Sequence, residues 1–123
     1  MRPILRYLFL AMAIGWSVVI YILSSQPGLG VPPLLFGQDK LLHALVFGIL
    51  GFLLAGALVP AANQARKRHI LMAVGLVATY GVLDEIHQHF VPGRMPDVFD
   101  VMADIGGGIL GVWLFTQSLH KSR

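Results

Sequence analysis

The sequence predicts an all-α integral membrane protein, a bundle of four transmembrane helices with both termini in the cytoplasm. Three observations predict it. Mean hydropathy is +0.74 and only 12% of the 123 residues are charged, about half the share in a soluble domain. Four apolar stretches each approach the roughly 20 residues that cross a hydrocarbon core. Seven of the nine Lys and Arg residues fall on one side of those stretches, and two on the other. The length suits one transmembrane domain covering residues 1–123.

The first span runs from about residue 4 to 23 and carries no charge after Arg6. Arg2 and Arg6 resemble the basic region of a signal peptide. The apolar run is longer than a usual signal core of about 7 to 15 residues, and no small-residue cleavage site follows. The reading is an uncleaved span. The second span covers about 41–59, the third about 70–90, and the fourth about 98–118. Between them lie SSQPGLGVPPLLFGQ, PAANQARKR and VPGRMP. Proline and glycine in these stretches break helices, one lacking a donor and the other too flexible.

Orientation follows from the basic residues. Arg2, Arg6, Arg66, Lys67, Arg68, Lys121 and Arg123 share one side of a four-span chain, which is therefore the cytoplasmic side; Lys40 and Arg94 lie opposite. All six carboxylates, Asp39, Asp84, Glu85, Asp97, Asp100 and Asp104, fall at or near the outer ends of spans two to four. Cysteine is absent, so disulfides and thiolate metal sites are excluded.

The depths of these groups are similar. At the helical rise, Asp84 lies roughly 9 Å inward of Phe90, Asp104 roughly 10 Å inward of Asp97, and His43 about 6 Å inward of Asp39. Asp97, Asp100 and Asp104 share one helical face. Asp84 with Gln88, and Glu85 with His89, are one turn apart. A charge in lipid costs at least about 2.5 to 3.5 kcal/mol at mid-bilayer. These groups must therefore face one another, a wet cavity or a ligand. The expected arrangement is a polar pocket open to the outside and walled by spans two, three and four. Small-residue pairs that could allow close helix approach are Ala11 and Gly15, Gly51 and Ala55, Gly75 and Thr79, and Gly107 and Gly111.

DKLLH at 39–43, DE-x-x-Q at 84–88, the turn PGR at 92–94, D-x-x-x-D-x-x-G at 100–107 and SSQP at 24–27 resemble the VanZ-like family of small bacterial membrane proteins. The resemblance covers nearly the whole chain in order. It implies a multi-pass protein of the bacterial cytoplasmic membrane and marks Asp39, Lys40, His43, Asp84, Glu85, Gln88, Pro92, Arg94, Asp100 and Asp104. The family pattern has Asn where this chain has Asp104, a departure that adds a negative charge. The family takes its name from a member associated with teicoplanin resistance in glycopeptide-resistant bacteria.

Each marked residue has a structural reading beside a functional one. Asp97 follows Pro96 and reads as an N-cap, with Asp100 favoured at N3 by the helix dipole. Asp39 reads as a cap as well. Asp84, Glu85 and Asp104 lie too far inside their helices to be caps. They form either a pocket or an internal network with Arg94 or His43. His43 suits a hydrogen bond to a carboxylate, a ligand contact or a proton shuttle. His87 and His89 read as surface residues; a zinc site using them lacks a known spacing such as H-E-x-x-H. Arg94 either clamps a phosphate or neutralises the acidic cluster.

The functional expectation is a site that binds or modifies a polar lipid head group or a lipid-linked cell-wall intermediate. Asp84, Glu85, His43 and Asp100 are its catalytic candidates. Gln88, Arg94, Asp39, Lys40 and Asp104 are its binding candidates. Mg²⁺ or Ca²⁺ could sit on the carboxylates, since both prefer oxygen ligands. Membrane lipid and a glycopeptide are the partners in view, and nucleic acid is not. The alternatives are a non-catalytic accessory protein and, against the one-sided clustering, an ion or proton transporter.

Overall fold

The computed structural model describes residues 2–27, 38–60 and 66–121. Four α-helices account for nearly all of them: α1 over Pro3–Ser24, α2 over Gln38–Leu58, α3 over Arg66–His89 and α4 over Val98–Lys121. Each is long and apolar enough to cross a membrane. The expected linker positions 28–37 and 61–65 lie outside the described residues.

Helix bounds follow local chemistry. Pro3 opens α1 at a position where its missing N–H costs nothing. Asp97 caps α4: its Oδ1 accepts the N–H of Phe99 at 2.9 Å, as the sequence leads one to expect. The turn before it is built on Pro92–Gly93. Gly93 has φ 74°, and the Arg94 N–H reaches the Val91 carbonyl at 3.2 Å. Pro followed by a positive-φ Gly is the type II pattern. Arg66, Lys67 and Arg68, expected in a linker, instead form the first turn of α3. Cations oppose the helix dipole there, but Arg66 donates from Nη2 to the Thr116 carbonyl of α4 at 3.0 Å.

The tightest contact is between α2 and α4, and it is made by glycine. A Cβ on Gly107 would strike the backbone carbonyl of Ala44; one on Gly111 would strike that of Gly48; one on Gly51 would strike Gly108. The backbones therefore touch directly, which lipid-embedded helices exploit because dispersion contact replaces the missing hydrophobic force. Of the small-residue pairs singled out in the sequence, Gly51 and Gly107 with Gly111 lie at this seam. Gly15 and Gly75 face open space.

α1 packs chiefly on α2 and is held by specific hydrogen bonds. Trp16 donates its indole N–H to the Val46 carbonyl at 2.9 Å, and the Tyr80 phenol donates to the Ser17 carbonyl. Phe47, Leu50 and Val77 are buried between the helices. Toward the terminal end, Phe9, Phe52 and Phe115 pack with ring centroids 5.2 to 6.3 Å apart. Many leucines, isoleucines and valines remain exposed on the outer faces, as helices that meet acyl chains require.

Two arginines staple helix ends. Arg6 donates from Nε to the Ala57 carbonyl and from Nη2 to the Leu58 carbonyl, both at 3.0 Å. Arg94 donates from Nε to the Gln26 carbonyl and from Nη2 to the Leu23 carbonyl, both at 2.9 Å. Each guanidinium satisfies carbonyls at a helix C-terminus, where the dipole favours a cation.

Candidate functional site

All six carboxylates gather at the bundle end opposite the chain termini, the acidic end. They sort into two layers. The outer layer centres on Lys40. Its Nζ donates to Asp39 at 2.7 Å, Asp97 at 2.8 Å and Asp100 at 2.6 Å. The hydrogen bond from Lys40, aided by the N–H of Phe99, holds the Asp97 carboxyl below the ordinary carboxylate range. Lys40, not Arg94, neutralises this cluster.

The inner layer runs from α4 through α2 to α3. His43 Nδ1 lies 2.8 Å from Asp104 Oδ1, and its Nε2 lies 3.7 Å from Asp100 Oδ2. Asp104 is fully buried. Gly81 of α3 makes room for it, since a Cβ there would sit 3.0 Å from the Asp104 Cβ. Asp84 is buried beside Gln88, whose Nε2 lies 3.4 Å from Asp84 Oδ2. Glu85 is buried too, and its Oε1 accepts the backbone N–H of Asp97. It thus caps α4 from α3, a role its mid-helix sequence position does not reveal. Among the described residues, the carboxylate oxygens Glu85 Oε2 and Asp104 Oδ2 are buried with no hydrogen-bond partner.

A cavity of about 330 Å³ opens at this end. Its polar lining is Ser24, Asp39, His43, Asp84, Gln88 and Arg94; its apolar lining is Ile20, Leu23, Leu42, Val46 and Phe47. These come from α1, α2, α3 and the turn after α3. The expected third wall, α4, contributes none of them. Asp100 and Asp104 stand behind His43 rather than in the cavity, and Lys40 and Glu85 are turned to α4. The part played by α1 carries a signal in the SSQP stretch. Ser24 faces the cavity. Ser25 bonds His87 Nε2 at 2.8 Å, and Gln26 offers its carbonyl to Arg94. His87, read from sequence as a surface residue, stacks on Tyr21 with centroids 4.8 Å apart, so it docks α3 against the end of α1. His89 is exposed.

Among the described residues, no group of three or more His, Asp or Glu side chains is arranged to hold a metal ion. Where three carboxylates do converge, the Lys40 ammonium stands between them.

Four apolar helices, each long enough to cross a membrane, define a multi-pass membrane protein. The chain belongs to the VanZ-like family: the family model described as VanZ/LLP1 matches residues 7–119. No curated protein and no solved structure matches the chain.

Proposed function

We propose that the acidic end is a site for the head group of an envelope lipid or a lipid-linked cell-wall intermediate. The chain sits in the bacterial cytoplasmic membrane with its termini inside and this cavity facing out. One observation carries the reading: charged and aliphatic side chains line the same cavity. Its volume of about 330 Å³ falls at the lower end of small-molecule pockets, roughly 300 to 1,000 Å³. An amphiphile whose polar part meets His43, Asp84 and Arg94, and whose chain meets Leu42 and Val46, matches both linings.

Pairing within the protein favours binding over turnover. Lys40, His43 and Glu85 are each engaged with other protein groups, which leaves few side chains free to attack a substrate. A transport path is disfavoured by the sequence below the site. From Ala44 to Leu58, and from Ile105 to Leu119, there is no ionisable residue.

The test uses the purified chain in nanodiscs of defined lipid. Saturable binding of a head group without product marks a binder, and product marks an enzyme. Failure of every head-group class to bind sinks the reading. In cells, expression should shift susceptibility to teicoplanin if the bound lipid belongs to the cell-wall pathway.

A further inference from the structure

The cavity is not balanced in charge. Asp84 is 8% exposed and lines it, and no Lys or Arg bonds its carboxylate. Ser24, 4% exposed, belongs to the same cavity wall. Gln88 turns its Nε2 to Asp84, which leaves its carbonyl oxygen as the acceptor of that side chain. The cavity wall thus carries three groups that can accept: the Asp84 carboxylate, the Ser24 hydroxyl and the Gln88 amide oxygen. A primary ammonium has three N–H donors and no acceptor. Arg94 lines the same cavity. Its Nε and Nη2 are spent on helix carbonyls, and among the described residues Nη1 makes no hydrogen bond.

Resting on the head-group reading above, we propose that the ligand is a phospholipid whose head group carries both a phosphate and a primary ammonium, the phosphoethanolamine class. The ammonium sits on Asp84, Ser24 and Gln88, and the phosphate on Nη1 of Arg94. An acyl chain lies along Leu42, Val46 and Phe47. The Asp84 carboxylate opposes a head group of net negative charge, while Arg94 opposes a bare cation. A zwitterion satisfies both. A free phosphoethanolamine would leave the aliphatic wall wet, so the lipid is the occupant.

The experiment measures binding of phosphatidylethanolamine, phosphatidylglycerol and N-acetylated phosphatidylethanolamine to the purified chain in detergent. The expected result is about tenfold tighter binding of phosphatidylethanolamine than of either other lipid, the worth of one charge-assisted hydrogen bond. Asp84→Asn should remove that preference while retaining the weaker binding. Ser24→Ala should narrow it. The comparison among lipids needs no variant, so it stands even where Asp84→Asn fails to fold. Equal binding of all three lipids overturns the ammonium assignment and leaves the head-group reading in place. Binding of none overturns both. A folded Asp84→Asn with its preference intact removes Asp84 as the seat. Water-soluble phosphoethanolamine binding as tightly as the lipid overturns the acyl-chain half of the proposal.

Discussion

Asp104 Oδ1 lies 2.8 Å from His43 Nδ1, while its other oxygen is buried with no partner among the described residues. Half of this carboxylate is therefore used and half is stranded. Asparagine, which the resemblance leads one to expect here, keeps a carbonyl to accept from Nδ1 and removes the buried charge. Asp104→Asn should melt at the same temperature as the parent or higher, by up to about 1 kcal/mol. Asp104→Ala strands His43 and should lose about 1–3 kcal/mol. Thermal unfolding in detergent compares them. An asparagine variant as unstable as the alanine variant would mean that the charge itself holds α2 to α4.

The glycine seam makes a sharper division. Gly107→Ala and Gly111→Ala push a methyl into backbone carbonyls of α2. Backbone cannot step aside as a side chain can. Each should cost about 1–3 kcal/mol, the range for overpacking. Gly75→Ala meets nothing within 4 Å and should be neutral or slightly stabilising, because Ala is the better helix former. Equal effects at positions 75 and 111 would refute the seam.

The four spans were legible from hydropathy, but their ends were not. Span three reads as about 70–90, whereas α3 covers Arg66–His89. Hydropathy marks the part that suits lipid, while the backbone ladder continues through Arg66–Arg68. The acidic end was legible too, because charges in apolar helices have few places to go. Partner choice was not. Lys40 with Asp97 and Asp100, and Glu85 with the Asp97 N–H, depend on the order of helices around the bundle. No periodicity encodes that order. The same gap hides α1 as a cavity wall: its polar contribution to the lining is Ser24 alone, in the SSQP stretch.

Lys40 holds three carboxylates from two segments. Lys40→Met leaves them facing one another. The side chain is 31% exposed, so the loss should be about 2 kcal/mol, below the 3–5 typical of a buried pair broken on one side. Lys40→Met with Asp100→Asn should recover part of it in a double-mutant cycle. The Asp97 contact has a defined pH sense. Its carboxyl is held below the ordinary range, so its contribution is present above about pH 4 and fades as pH falls through the lowered value. A melting curve of Lys40→Met should show a weaker acid dependence than the parent's.

The proposed cytoplasmic placement of the termini rests on seven cations against two. The chain has no cysteine, so single cysteines report cleanly. Met95 is 87% exposed in the turn between α3 and α4, and Lys67 is exposed at the other end of α3. Met95→Cys in intact cells should react with a membrane-impermeant maleimide. Lys67→Cys should react only after the cells are opened. The opposite pattern would invert the bundle and move the cavity to the cytoplasmic face.

Arg94 tests whether stapling and binding share one side chain. Its planar fork reaches two carbonyls at the end of α1 and still lines the cavity. Lysine keeps the charge but offers a compact ammonium that cannot span both carbonyls and a phosphate in one plane. Arg94→Lys should therefore loosen the end of α1, with a loss of about 1 kcal/mol and faster amide exchange at Leu23 to Gln26. Arg94→Gln removes the charge as well, and should weaken phosphate-bearing lipids further than lysine does. Hydrogen exchange and lipid binding on the same two variants separate the roles. Should exchange rise in both while lipid binding stays at the parent's level in both, Arg94 is a staple alone, and the phosphate must be held elsewhere.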